Sequence, residues 1–176
     1  MPTLALQLQA DFGQVVGLVP ADGVEAALLL PIECTSCHEA HPNPVALEPS
    51  NLTDMQKSRG TANLVVHCPS CRRENSATFV VPSSRSDASP WTPAAPDVDH
   101  TTGWHTLCTI DFRGMNPLDP SIDALLPESN SWTCSGAESS TPFTDVQFDD
   151  GEWHDYDDKA GDEVSITDVQ LSLIHI

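Results

Sequence analysis

Glu33-Cys34-Thr35-Ser36-Cys37-His38 and His67-Cys68-Pro69-Ser70-Cys71-Arg72 are two CxxC turns, with thirty residues between Cys37 and Cys68. Zinc takes four tetrahedral ligands, and thiolates are its usual structural ones. One CxxC turn brings two sulfurs to one ion, and two turns close the shell. The spacing therefore predicts a four-cysteine site for one Zn²⁺ per chain at Cys34, Cys37, Cys68 and Cys71. Pro69 suits such a turn because it fixes φ and presents the following amides toward sulfur. A closed shell leaves no position for water or substrate, so the site reads as structural and as a contributor to folding.

Other chemistries use the same residues. A disulfide framework needs an oxidising compartment, for which the sequence offers no sign. A redox reading of Cys68-Pro69-Ser70-Cys71 needs a long helix after the motif, whose dipole lowers the thiol pKa. Arg72-Arg73-Glu74-Asn75-Ser76 leads instead into a β-branched run. Iron in a rubredoxin-like site would take the same four ligands. His38, His41 and His67 lie nearby and read as solvated or satisfied side chains. Arg72 and Arg73 either offset the charge of a metal–thiolate centre or are ordinary surface arginines. Cys108 and Cys134 read as buried free cysteines; His105 is three residues before Cys108, but neither thiol has an adjacent basic partner.

Outward from the two turns, the pattern is mainly β. Leu4-Ala5-Leu6-Gln7-Leu8-Gln9-Ala10 alternates apolar and polar residues, as a strand with one wet face does. A strand is expected from Val24 to Ile32, running into the first CxxC. A second is expected from Asn63 to His67, running into the other, and a third leads out of it from Ser76 to Val81. Residues 39–62 must supply a loop or a strand of their own. The chain has 15 prolines and 9 glycines, and no twelve-residue window carries a clean helical period. Residues 82–103 are dominated by Ser, Pro, Ala, Asp and Thr and read as a low-complexity loop or linker.

The strand-rich parts on either side, 1–81 and 104–170, repeat one another faintly. Asp11-Phe12 and Leu18-x-Pro20 return as Asp111-Phe112 and Leu118-x-Pro120; Glu74-x-Ser76-x-Thr78-x-Val80 returns as Glu163-x-Ser165-x-Thr167-x-Val169. The expectation is two similar antiparallel β subdomains with a pseudo-twofold relation and the zinc site in the first. The positions matching Cys68 and Cys71 are Asp157 and Ala160. Residues 171–176, Leu171-Ser172-Leu173-Ile174-His175-Ile176, read like a translated sequencing-adapter sequence and are set apart from functional reasoning.

Seven basic residues against 26 acidic ones give a net charge of −19. Such a chain is a poor partner for nucleic acid or an anionic membrane surface. A protein partner, with a basic face, is expected instead. The longest apolar run, Ala26-Ala27-Leu28-Leu29-Leu30-Pro31-Ile32, is too short to cross a bilayer. Met1 to Ala10 contains no basic residue, so no secretory leader is expected, and the chain is placed in the cytoplasm, the nucleus or both, as a monomer. The eight carboxylates and one lysine between Asp149 and Glu163 lack a calcium-loop register and read as a solvated turn or an acidic docking patch.

Several stretches together carry a resemblance. Ser58-Arg59-Gly60-Thr61-Ala62 is followed by Cys68-x-x-Cys71-x-x-Glu74-Asn75-Ser76, Phe112-Arg113-Gly114, Glu138-Ser139-x-Thr141-x-Phe143 and Trp153-His154-Asp155-Tyr156-Asp157-Asp158-Lys159. In this order, from Leu4 to Gln170, the chain resembles the eukaryotic CXXC motif containing zinc binding protein family (UPF0587, DUF866). The resemblance implies a β-rich fold of two similar halves, with zinc on the four cysteines of the first. It implies no established catalytic activity. Trp153 and Tyr156 read as core or edge packing. The expected function is thus non-enzymatic zinc binding that acts through protein contacts, with no catalytic residue. Two alternatives are a thiol-dependent reductase of the methionine-R-sulfoxide reductase type, for which only Cys108 and Cys134 could serve, and a metal-delivery protein.

Overall fold

A computed structural model describes residues 3–57, 59–81, 89–94, 103–118 and 131–176. Its regular elements are β1 (Thr3–Gly13), β2 (Val15–Pro20), a 3₁₀ turn (Gly23–Glu25), β3 (Leu28–Leu30), β4 (Ile32–Cys34), β5 (Val45–Leu47), β6 (Thr53–Asp54), β7 (Thr61–Ala62), β8 (Leu64–His67), β9 (Glu74–Val80), β10 (Trp104–Arg113), β11 (Met115–Pro117), β12 (Trp132–Gly136), β13 (Pro142–Val146), β14 (Trp153–Asp157) and β15 (Asp162–His175). There is no α-helix among the described residues, as the lack of a helical period requires.

The largest sheet has six strands in the order β14-β15-β1-β10-β9-β8, all pairs antiparallel. Read from its two ends, this order matches β8 with β14, β9 with β15 and β10 with β1. Two of these pairs, β1/β10 and β9/β15, carry repeats visible in the sequence, and the pseudo-twofold relation runs through the middle of the sheet, between β1 and β10. The halves exchange strands there. The β8–β9 hairpin of the first half lies against β10 of the second, and β14–β15 of the second lies against β1 of the first.

Each central strand then turns a corner. Gln14 (φ 64°) separates β1 from β2, and Gly114 (φ 78°) separates β10 from β11. Beyond the corner β2 joins β12 and β13, while β11 pairs with β4. Leu6, Leu8, Leu28, Leu47, Leu107, Ile110, Phe112 and Trp132 lie in one continuous apolar cluster fed by both halves. Truncating any one such leucine to alanine costs roughly 2–5 kcal/mol.

Two expectations need correction in detail. The strand expected from Val24 to Ile32 is broken: a 3₁₀ turn occupies Gly23–Glu25, and Pro31 separates β3 from β4. Proline has no N–H to extend a ladder, and the two pieces take different partners, β5 and β11. Asn63 precedes β8 rather than opening it. Its buried carboxamide donates to the carbonyls of Pro49 and Asn51 (both 3.0 Å) and accepts from the Phe79 N–H (2.8 Å), tying the 48–63 excursion to β9.

Most of the 82–103 segment lies outside the described residues. Residues 89–94 lie inside, and there Trp91 is buried against Phe79 and donates from Nε1 to the Gly23 carbonyl at 2.8 Å. Residues 171–175 continue β15 and pair with β1 from Leu171↔Leu8 to His175↔Leu4. Leu171 and Leu173 pack half-buried on the core.

Candidate metal centre

The two CxxC turns leave the ends of β4 and β8 and close in the same way. In the first, the His38 N–H donates to the Cys34 carbonyl (2.9 Å) and the Cys34 N–H to the Glu39 carbonyl (3.0 Å). In the second, the Arg72 N–H donates to the Cys68 carbonyl (2.8 Å) and the Cys68 N–H to the Arg73 carbonyl (3.0 Å). His38 and Arg72 both hold left-handed backbone, at φ 60° and 61°. That conformation is uncommon for residues other than glycine, and it is imposed twice at equivalent positions.

These turns bring the sulfurs together. Cys34 Sγ is 3.6 Å from Cys71 Sγ, Cys37 Sγ is 3.5 Å from Cys68 Sγ, and all four lie within 4.8 Å of one another. A disulfide would need about 2.05 Å. Four sulfurs at about 2.3 Å from a tetrahedral zinc would stand about 3.8 Å apart. The cluster therefore fits one metal ion, and the donor set is that of a structural zinc site. Cys34 and Cys68 are buried, Cys37 is half-buried and Cys71 is exposed.

Amide hydrogens aimed at sulfur favour the thiolate. The Cys37 N–H, then those of Ser36 and the Asn75 side chain, hold the Cys34 thiol down at about 6 against the opposing effect of burial. The N–H of Cys71, followed by that of Ser70, lowers Cys68. At Cys37 the Glu39 N–H pulls down, but burial and the Cys68, Cys71 and Cys34 sulfurs outweigh it and push the thiol up to about 12. Crowded thiols cannot all ionise without a cation between them, and a divalent ion removes that conflict.

The side chains around the cluster were less legible. Asn75 is 2 % exposed and its Oδ1 has no hydrogen-bond partner among the described residues. Its amide faces Cys34, and Gly114 makes room for it: a β-carbon there would collide with Asn75 Oδ1. The carbonyl of Gly114 accepts from the Thr35 N–H at 3.0 Å, so the β10–β11 corner is bonded directly to the first turn. The only sequence signal for this pair was its place in the motifs Glu74-Asn75-Ser76 and Phe112-Arg113-Gly114. Glu74 holds the preceding loop by accepting from the N–H groups of Gln56 (2.9 Å) and Lys57 (3.3 Å), which lowers its carboxyl pKa.

The sulfur cluster includes none of the three nearby histidines. His38 is exposed, His41 bonds the Asn43 backbone through Nδ1 (2.7 Å), and His67 lies 3.8 Å from Glu74. Arg72 and Arg73 are exposed. Cys108 and Cys134 are buried in β10 and β12. Burial pushes the Cys108 thiol well above its ordinary range, and burial together with Asp155 pushes Cys134 up to about 12. Trp153 packs edge-on against Phe143, whereas Tyr156 is half exposed on edge strand β14.

Comparison with known proteins agrees with this geometry. The family profile described as CXXC motif containing zinc binding protein, eukaryotic, matches residues 5–174. A UPF0587 protein of Schizosaccharomyces pombe is 30 % identical over 173 residues, covering 98 % of each chain. The CXXC motif containing zinc binding protein of Homo sapiens is 27 % identical over 174 residues, covering 99 % of each. Among solved structures, the crystal structure of C1orf123 superposes with a TM-score of 0.80 at 25 % identity, covering 99 % of each chain. A hypothetical protein from Plasmodium falciparum shares the fold at a TM-score of 0.76 and 16 % identity, over 99 % of this chain and 100 % of that one.

Proposed function

The chain belongs to the eukaryotic CXXC motif containing zinc binding protein family, and from that membership we propose that it is a non-enzymatic zinc protein acting through protein contacts. One Zn²⁺, held by Cys34, Cys37, Cys68 and Cys71, would join the turn after β4 to the turn after β8. The observation that carries this reading is the four-sulfur cluster, which no histidine or carboxylate joins among the described residues. Four thiolates fill a tetrahedral shell, so the ion contributes folding energy rather than an open catalytic position. The inaccessible, high-pKa thiols of Cys108 and Cys134 argue against a thiol reductase, which needs a reactive thiolate within reach of substrate. The net charge of −19 favours a partner with a basic face. A monomer in the cytoplasm or nucleus completes the reading.

The test is metal content by plasma mass spectrometry, with thermal melts. The unmodified chain and Cys108→Ser should carry one zinc. Cys34→Ser and Cys68→Ser should lose it and melt lower. Metal indifferent to Cys34 and Cys68 would sink the assignment. Crosslinking of the zinc-loaded chain in cell extract, against the stripped chain, then tests the protein-contact part. A metal-delivery role draws support from one feature, the exposure of Cys71. Slow release of zinc to a chelator would rule it out.

A further inference from the structure

The strand exchange places a second pair of turns where the pseudo-twofold relation requires them. The turn between β12 and β13 closes with the Ser140 N–H on the Gly136 carbonyl (3.0 Å) and the Gly136 N–H on the Thr141 carbonyl (2.9 Å). The turn between β14 and β15 closes with the Gly161 N–H on the Asp157 carbonyl (2.8 Å). Ser140 and Gly161 take left-handed backbone, at φ 58° and 70°, as His38 and Arg72 do. The Ala137 N–H donates to the carbonyl of corner residue Gln14 (2.9 Å), just as the Thr35 N–H donates to that of Gly114. Residue by residue, Gly136 stands for Cys34, Ser139 for Cys37, Asp157 for Cys68 and Ala160 for Cys71.

We infer that these four positions are a second copy of the metal centre, in which the Asp157 carboxylate does without a metal what the ion does in the first. Asp157 is 1 % exposed. Its Oδ2 accepts from the Ser139 hydroxyl. Its Oδ1 accepts from the Thr141 hydroxyl (2.9 Å) and from the N–H groups of Lys159 (3.1 Å) and Ala160 (3.2 Å). One turn thus supplies the carboxylate and the other the hydroxyls, so the two are joined through it. Four donors occupy the carboxylate, which leaves little capacity for a cation.

The side-chain directions match as well. A β-carbon built on Gly136 would meet Ser139 Oγ and come within 2.5 Å of Asp157 Oδ2. It would point into the centre of the cluster, as the Cys34 side chain does in the first half. Glycine is required there because the carboxylate fills that space. Gly136 has no left-handed backbone, so a larger residue is excluded by the cluster alone. In the β9/β15 repeat, Val164 stands for Asn75. The amide that faces a thiolate in the first half has become an apolar side chain where there is no thiolate.

The consequence is a chain whose halves answer differently to metal. Removing the ion should open the 34–38 and 68–72 turns and leave the 136–140 and 157–161 turns closed. This rests on the reading of the first four cysteines as the metal centre.

Hydrogen–deuterium exchange on the full chain, zinc-loaded and chelator-stripped, tests it. Stripping should speed exchange at His38 and Arg72 at least ten-fold more than at Ser140 and Gly161; equal acceleration at both overturns the inference. In parallel, a chain carrying Gly136→Cys, Ser139→Cys, Asp157→Cys and Ala160→Cys should bind two zinc ions where the unmodified chain binds one. A folded variant that still binds one overturns the inference alone. An unmodified chain without zinc overturns the metal reading as well. Should the variant fail to fold, the exchange result decides.

Discussion

The carboxamide of Asn75 fills the space that a β-carbon on Gly114 would need. Asn75 faces the Cys34 sulfur, and Gly114 holds φ 78° at the corner between β10 and β11. A strand corner in the second half and a hydrogen bond at the metal centre of the first are therefore a single packing problem.

Gly114→Ala should suffer twice, from left-handed strain and from displacement of Asn75. The expected loss is roughly 2–4 kcal/mol, combining the strain of one non-glycine residue with a buried polar group left unpaired. Urea denaturation of the zinc-loaded chain measures it. Asn75→Ala leaves the Gly114 backbone relaxed and removes the whole carboxamide, including the donor that faces Cys34. Its zinc affinity should fall about 10–100-fold, as for other partners of metal ligands, read by competition with a chromogenic chelator.

Asp157 predicts a pH dependence. The Ser139 hydroxyl, then that of Thr141 and the N–H groups of Ala160 and Lys159, hold its carboxyl below the usual range when folded. Folding thus favours the charged form. The stabilisation is complete above the unfolded-state value of about 3.9 and fades as pH falls through the lower folded-state value. Asp157→Asn should therefore lose most at neutral pH, and the gap to the unmodified chain should narrow below about pH 4. Urea melts of both proteins across pH, compared by difference, remove the effect of metal release. A constant gap would mean that Asp157 acts by shape and not by charge.

Cys108 and Cys134 should be silent toward alkylation. At pH 8 the folded, zinc-loaded chain should keep both thiols unmodified after iodoacetamide, while all six cysteines react in urea with chelator. Peptide mass spectrometry distinguishes the sites. Rapid labelling of either thiol would revive the reductase reading.

Deleting residues 171–176 should destabilise the fold even if those residues carry no function. They pair with Leu4 to Leu8 of the central β1, and Leu171 and Leu173 cover the core. Losing two half-buried leucines costs about 2–3 kcal/mol in burial alone, visible as a lower melting temperature.

Much of the metal centre was legible in the chain. A thiol is the same ligand in any fold, and two CxxC turns can satisfy one ion wherever they meet. The repeat was legible too, because Asp11-Phe12 and Asp111-Phe112 occupy the same register of β1 and β10. It also placed Asp157 and Ala160 opposite Cys68 and Cys71. Gly136 and Ser139 carry no such signal, since neither resembles a cysteine and only the backbone closure reveals their equivalence. Val24 to Ile32 divides into separate pieces that the sequence does not reveal, because a continuous apolar run reports burial and not partners.

By itself the sequence determined the chemistry: four soft ligands in two turns, a mainly β chain, a faint duplication. The tertiary structure alone decided how the duplicates combine. Strand neighbours are chosen by contacts between residues far apart in the chain, such as Leu6 with Cys108 and Leu6 with Leu173, and a period of two names the buried face without naming what lies beside it. That choice set each half's outer hairpin against the other half's central strand. It brought a metal-ready cluster together at one end, and at the other it enclosed a carboxylate among four donors.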